Sequence, residues 1–413
     1  MTETIQADIC IVGAGPVGAT LACSLAAAGV STVVIDRAPL PPMEHPAFDG
    51  RAYAIAHTSR EIIARAGIWD RLPNPACPIE EIRVSDGRLG RPASRLFLHF
   101  DHREATTPGE TPTGTMAPFG WMVEARDLRV ALNATLHSLP NLRVFAPATA
   151  SIERRPDGAT VHIAGGPTIA ARLIVAAEGK NSPLREQAKI PVTRLPYRQT
   201  GIVCAIAHEH PHHNIALEHF LPSGPFARLP MCGQDGAPNV SAIVWTERDG
   251  IAQRMLALDD DALARQIARR LGDHLGTVRL LGRRWHFPLG AQHAHRYFDT
   301  RLALIGDAAH SIHPIAGQGL NLGFRDVGAL AALLIEAHHA NTNPGNRDLL
   351  TRYQRARRPD NLLMLAATDA LDRLFSTDLP PIRLIRDLGL GAVQRLPGLK
   401  RLFMRRAMGL GRG

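Results

Sequence analysis

Along this chain the spacing of apolar and polar positions changes rhythm several times. The run from Asp8 to Val12 is apolar, Gly13 to Gly18 is a glycine-punctuated turn, Pro16 to Ala28 has helical character, and Thr32 to Ile35 is β-branched. That order predicts one βαβ unit. Two further apolar runs, Leu173 to Ala177 and Leu302 to Ile305, each end in a glycine turn beside an acid, Glu178-Gly179 and Gly306-Asp307, so three separated stretches are expected to share one parallel sheet. Between them, Ile82 to Phe100 and Val192 to Trp245 carry short alternating or β-branched runs broken by Pro and Gly, the pattern of antiparallel sheet and of a second domain. Helical periodicity returns at Asp260 to Leu271, Leu320 to His338 and Leu349 to Leu374. No internal repeat or low-complexity segment interrupts the pattern.

At 413 residues the chain exceeds the roughly 250 to 300 residues over which one hydrophobic core grows, so two joined domains are expected. Its 45% apolar and 21% charged residues are those of a globular protein. No window of about 18 apolar residues could span a bilayer, and Met1 to Ala7 has no cationic region of the export type. Cys10, Cys23, Cys77, Cys204 and Cys232 are odd in number and lack a CxxC pair, which argues against a disulfide framework and a zinc site and for a reducing cytoplasm. The net charge of +9 is concentrated after Leu379, where eight Lys and Arg residues, from Arg383 to Arg412, face one acid, Asp387. No nucleic-acid motif accompanies these charges, so an anionic membrane surface or a protein partner is the expected contact.

Chemistry enters at Gly13-Ala14-Gly15-Pro16-Val17-Gly18, which follows a strand and opens a helix. The first glycine makes the tight turn, the second admits a pyrophosphate, and the third lets helix and strand pack closely. The helix N-terminus supplies amide donors for an anion. Asp36, with Arg37 beside it, ends the next strand, where a carboxylate can accept hydrogen bonds from a ribose diol. The fingerprint implies a dinucleotide; by itself it does not separate FAD from NAD(P).

The segment from Arg301 to Asp326 is more specific. Its run His313-Pro314-Ile315-Ala316-Gly317-Gln318-Gly319-Leu320-Asn321-Leu322-Gly323, followed by Asp326, resembles the signature of the UbiH/UbiF/VisC-like hydroxylases, within the 4-hydroxybenzoate-hydroxylase-type flavoproteins. The resemblance implies bound FAD, with Asp307 on its ribityl chain and Pro314, Gly317, Gln318, Gly319, Leu320 and Asn321 around its ring. A helix starting at Gly319 to Asn321 would aim amide donors at the flavin pyrimidine, where reduction places negative charge. Asp49-Gly50-Arg51-Ala52 resembles the family's DGRA segment, placing Arg51 at the FAD phosphates or beside the ring; a surface arginine capping the next helix is the alternative. Glu124-Ala125-Arg126-Asp127-Leu128 resembles the segment whose arginine contacts FAD, and a helix-start ion pair explains Arg126 nearly as well. Val175 to Arg185 resembles the GADGxxSxxR motif, with Glu178 in place of aspartate, one methylene longer, which bears on its reach to a backbone amide and on the nicotinamide donor. His310 and His313, and the group His208, His210, His212 and His213, lack the further ligands of a metal site, and no metal is expected.

The resemblance therefore implies an α/β fold: a Rossmann-like FAD-binding domain with a parallel sheet (1–75, 121–185 and 285–375), interleaved with an antiparallel-sheet substrate domain (76–120 and 186–284) and followed by a C-terminal helical region ending in a basic amphipathic stretch (376–413). It implies an FAD-dependent monooxygenase of ubiquinone biosynthesis: NAD(P)H, bound transiently, reduces the flavin, O2 adds at its C4a position, and the hydroperoxide hydroxylates the ring of a polyprenylated phenol. No protein acid, base or nucleophile is assigned. The expected location is cytoplasmic and peripheral on the membrane, with the tail on the bilayer or packed as an ordinary helix, and a complex with other proteins of the pathway is a further expectation. Competing readings are another hydroxylase or a prenyl reductase of the same fold, and a non-catalytic assembly subunit.

Overall fold

The computed structural model describes residues 4–40, 47–87, 98–104, 117–233 and 236–375, with 396, 398, 400, 401, 404 and 408 of the tail. The three apolar stretches do lie in one sheet. Thr4–Val12 pairs in parallel with Thr32–Ile35 on one side and Thr168–Ala176 on the other, and Leu302–Leu304 pairs in parallel with Thr168–Ala176. Every residue of Thr32–Ile35 is buried, as a strand covered on both faces requires. The helix Pro16–Ala27 lies against this sheet with Leu21, Ala22, Cys23 and Leu25 fully buried, and its N-terminal proline suits a position whose N–H has no intrahelical partner. A buried aliphatic side chain contributes about 1.5–3 kcal/mol, so Ile9, Ile11, Leu21 and Leu25, all at 0% exposure, anchor this layer.

Among the described residues the second sheet has eight strands, in the order His310–Ser311, Val278–Ala294, Val192–His208, Val240–Arg248, Gly224–Met231, Ile215–Leu221, Glu81–Asp86 and Leu98–Asp101. It is antiparallel except for one pair: Ile215–Leu221 runs parallel to Glu81–Asp86. Those two strands come from distant parts of the chain, so no hairpin imposes an antiparallel sense. A small third sheet joins Ala52–Ala56, Gly120–Glu124 and Cys77–Ile79. The divisions expected at 120/121 and 284/285 fall inside the strands Gly120–Glu124 and Val278–Ala294, because a hydrogen-bonded ladder does not stop where residue composition changes.

Most of the basic tail, 376–395, lies outside the described residues. Met404 and Met408 are buried beside Phe119 and Met122, and Lys400 pairs with Glu104 at 2.5 Å, so these positions pack against the protein.

Two helices, Gln318–His339 and Arg347–Phe375, close the parallel layer, and a buried carboxylate joins them to the sheet. Asp326 accepts from the Gly306 N–H at 3.0 Å, His310 Nε2 at 2.5 Å, Arg357 Nε at 2.8 Å and Asn361 Nδ2 at 3.1 Å. Burial alone would raise its pKa, but His310 and Arg357 outweigh burial and hold it at about 2. A carboxyl depressed in the folded state stabilises the protein above its ordinary range, and that stability is lost as pH falls from about 4 through 2. Asp326→Asn, which leaves Arg357 with the half-buried Asp360 as its remaining counter-charge, should lower the unfolding free energy by about 3 kcal/mol, the low end for breaking a buried pair. Urea denaturation at pH 7 and pH 3 checks this, since the gap between the two proteins should narrow at the lower pH.

Candidate cofactor and substrate site

The carboxyl ends of three parallel strands meet at one crevice, where ligands of open α/β sheets bind. Val12 leads into the glycine turn, Ala176 into Glu178, and Leu304 into Asp307. A cavity of about 1050 Å³ opens there, lined by Gly15, Pro16, Val17, Gly18, Gly179, Asp307, Pro314, Gly317, Gly319 and Leu320 among others.

The three glycines of the turn have different surroundings. Gly13 sits at φ +108°, and a Cβ there would lie 2.4 Å from the Ala177 carbonyl oxygen. At Gly18 a Cβ would lie 2.0 Å from the Gly13 oxygen, so the helix starts in backbone contact with the turn. A Cβ at Gly15 meets nothing within 4 Å, leaving that face open to the cavity. The N-caps of both Pro16–Ala27 and Gln318–His339 are glycines without side-chain caps, Gly15 and Gly317. Two helix N-termini without side-chain caps thus face one cavity, an arrangement that favours negative charge. Gly319 is open in the same way as Gly15. These open glycines, the uncapped amides and the size of the cavity fit an elongated, anionic dinucleotide, and FAD has that shape and charge.

Asp36 is half-buried and accepts from the Ala14 N–H at 2.6 Å and the Ala38 N–H at 2.8 Å, which ties the second strand to the glycine turn and leaves further lone pairs for a diol. Burial raises the Glu178 carboxyl, and the exposed Arg37 is close enough to oppose that rise. Asp307 is open to the cavity yet ringed by protein; burial raises its carboxyl, opposed by His310 and Lys180. Glu178 does reach a backbone amide despite its altered length: Oε2 accepts from the Leu184 N–H at 3.2 Å and from the Ser182 hydroxyl at 2.5 Å. Arg185, 1% exposed, donates to the carbonyls of Ala308 at 2.9 Å and Lys180 at 3.0 Å, bracing the turn that carries Asp307.

Among the expected contacts, Arg51, Arg126, Asn321 and Gln318 lie off the cavity wall. Arg51 donates to Asp49 through Nε at 2.9 Å and stacks 4.2 Å above the Trp285 ring, while Trp285 Nε1 donates to the Asp49 carbonyl at 2.8 Å. Arg126 forms the helix-start ion pair, Nε to Glu124 at 2.6 Å, against the Phe48 ring. Asn321 is 1% exposed: Oδ1 accepts from the Ala56 N–H at 2.8 Å and Nδ2 donates to the Ala54 carbonyl at 2.8 Å, so it straps the cavity helix to Ala52–Ala56. Gln318 opens that helix beside Gly317 but is not on the cavity wall.

The cavity continues past the nucleotide residues onto the second sheet. Ile82, Val84, Phe100, Val203, Leu229 and Val244 form an apolar wall, and Phe220, stacked 4.0 Å from Phe375, closes one side. Glu218 is the acid in that wall, and sequence patterning did not single it out. The alternation of Ala216, Glu218 and Phe220 along Ile215–Leu221 is the signal that could have found it, because side chains two apart share a face. Arg357 and Asn361 also escaped notice, because their partner Asp326 lies 31 and 35 positions away.

Residues 6–367 match the model of a family described as FAD binding domain. The ubiquinone hydroxylase UbiL of Rhodospirillum rubrum is 48% identical over 98% of this chain and 90% of its own length. The 3-demethoxyubiquinol 3-hydroxylase of Escherichia coli is 33% identical over 98% of each chain. Among solved structures, the p-nitrophenol 4-monooxygenase PnpA of Pseudomonas putida superposes with a TM-score of 0.77 over 100% of both chains at 18% identity, a likeness of fold.

The different surroundings of the glycines separate ligand contact from folding. Gly15→Ala should leave the melting temperature of the cofactor-free protein unchanged and weaken FAD binding at least tenfold by fluorescence titration. Gly18→Ala should destabilise the cofactor-free protein itself by about 1–3 kcal/mol or more through overpacking.

Proposed function

This chain belongs to the family of FAD-dependent ubiquinone hydroxylases, and we propose that within it the protein hydroxylates a ring carbon of a polyprenylated phenol in ubiquinone biosynthesis. It is an FAD-dependent monooxygenase that consumes NAD(P)H and O2 and returns one oxygen atom to the ring and one to water. The observation that carries the substrate class is the continuity of one cavity from the glycine turn and Asp307 to an apolar sheet face. An aromatic ring placed between these two regions meets the cofactor on one side and hydrocarbon on the other. Each prenyl methylene buried in such surroundings contributes about 0.8 kcal/mol.

The residues that would hold FAD are those of the family resemblance, and the geometry supports the assignment. Amides of the glycine turn and of the helix it opens would take the pyrophosphate, Asp36 the ribose, Asp307 the ribityl hydroxyls, and the amides at Gln318 to Leu320 the electron-rich edge of the ring system. When bound, FAD supplies electron transfer and oxygen activation. The chain's own part is to hold the ring against the cofactor, to exclude water with its apolar wall, and to offer positive helix ends where negative charge accumulates. Arg51 and Arg126 support the site through Asp49 and Glu124, behind the cavity wall.

The route of the substrate is part of the same reading. Leu371 and Leu374 both line the cavity and are each 39% exposed, and Leu362 and Leu363 are exposed on the same helix. An apolar mouth beside exposed leucines suits a lipid-borne substrate taken up at a membrane surface, and the basic residues after Leu379 suit an anionic one.

The decisive assay supplies FAD-loaded protein with a prenylated phenol, NAD(P)H and ¹⁸O2. Product carrying one labelled oxygen is expected; an unlabelled product with a reduced prenyl double bond would identify a reductase, and no NAD(P)H oxidation with any phenol would leave the assembly-subunit reading. Replacing Leu371 and Leu374 together by Gln should reduce co-flotation with anionic liposomes and raise KM for long-chain substrates more than for short-chain ones.

A further inference from the structure

Glu218 has surroundings unlike those of any other buried glutamate among the described residues. Three glutamates are buried, Glu124, Glu218 and Glu247. Glu124 pairs with Arg126 at 2.6 Å, and Glu247 lies 3.6 Å from Arg270 and accepts from Trp245 Nε1 at 3.3 Å. Glu218, at 8% exposure, has no hydrogen bond or ion pair among the described residues. Its neighbours explain why. Ala216 and Phe220 flank it along its own strand, Ala227 faces it across one strand boundary and Val84 across the other, and none of these side chains can donate or accept.

An unpartnered carboxyl costs several kcal/mol to bury as an anion, and burial pushes Glu218 up to about 7. Its neighbour His219 points to the opposite face, where Nδ1 meets the Ser85 hydroxyl at 2.8 Å, so the strand's other side is satisfied within the protein. Among the described residues none pairs with Glu218, so a partner would reach it from the cavity. Apart from Ser311, on the edge strand at the far end of the sheet, the rest of the cavity's sheet wall is hydrocarbon, so a ligand seated against Ile215–Leu221 would meet Glu218 as its hydrogen-bonding side chain.

We propose that Glu218 is the polar anchor of the substrate pocket, hydrogen-bonding the hydroxyl of the aromatic ring and so deciding which ring carbon faces the cofactor. The proposal rests on the hydroxylase reading above. A phenol suits the position because its hydroxyl both donates and accepts, and so pairs with the carboxyl in either protonation state. A ring held only by apolar contacts could rotate in its plane at little cost; a single fixed hydroxyl removes that freedom. A site built around a hydrogen bond also rejects the analogue that cannot complete it, because the buried group is then left unpaired.

The test compares 2-geranylphenol with its O-methyl ether on the FAD-loaded enzyme, reading dissociation constants from the perturbed flavin absorbance and ring position from mass spectrometry and NMR of the product. Wild type should bind the phenol at least tenfold more tightly than the ether and give one regioisomer. Glu218→Leu should shrink that preference below threefold, give mixed regioisomers or uncoupled NAD(P)H oxidation, and keep its FAD content and melting temperature, since it removes an unpartnered buried acid. Glu218→Gln, which can still donate and accept, should restore part of the preference. Wild type that binds phenol and ether alike, or a Glu218→Leu enzyme that keeps both preference and regiochemistry, overturns the anchor while leaving the hydroxylase reading intact. FAD-loaded wild type that hydroxylates no prenylated phenol overturns the hydroxylase reading and the anchor with it.

Discussion

The architecture depends on a buried carboxylate at the junction of three separated stretches of chain. Asp326 takes a backbone N–H from the end of a parallel strand, a histidine from the following turn, and an arginine and an asparagine from the last long helix. At 0% exposure such a charge is tolerable only when every neighbour is arranged to stabilise it. Meeting that condition sets the position of the Asp307 turn, and with it one wall of the cavity. Arg185 braces the same turn from the other side through the Ala308 carbonyl. The site is therefore held in part by side chains that lie off the cavity wall.

The cavity unites two different solvents. At one end, helix N-termini without side-chain caps and the Asp307 carboxyl provide fixed polar groups for an elongated cofactor; at the other, side chains from six strands of the second sheet provide hydrocarbon. An aromatic ring with a long prenyl chain matches that gradient, because its reactive part wants positioned dipoles and its tail wants none. Glu218 breaks the uniformity of the apolar end, and a polar group in that setting has its largest effect where water is excluded.

Much of the fold was legible along the chain. Asp260–Leu271 was delimited by its helical period, Thr32–Ile35 by its β-branched run and the glycine turn by its spacing, because period, β-branching and backbone crowding are properties of neighbouring residues. The small sheet through Ala52–Ala56, Gly120–Glu124 and Cys77–Ile79, and the parallel pairing of Ile215–Leu221 with Glu81–Asp86, were not legible, since short strands with remote partners carry no local sign of where they pair. Glu178 shows the same limit at the level of one side chain: its extra methylene mattered less than the position of Ser182 and Leu184, which set what it could reach.

By itself the sequence determined that a dinucleotide turn exists, which glycines form it, and which family of flavoproteins its later motifs resemble. Only the tertiary structure decided what the individual polar side chains do. Asn321 straps a strand 267 positions away instead of lining the cavity, Arg51 is held by Asp49 and the Trp285 ring, and Glu218 faces an apolar wall without a partner. A turn is dictated by the torsions of adjacent residues, whereas a hydrogen bond or a buried charge is defined by whichever groups folding brings within about 3 Å, and those come from anywhere in the chain.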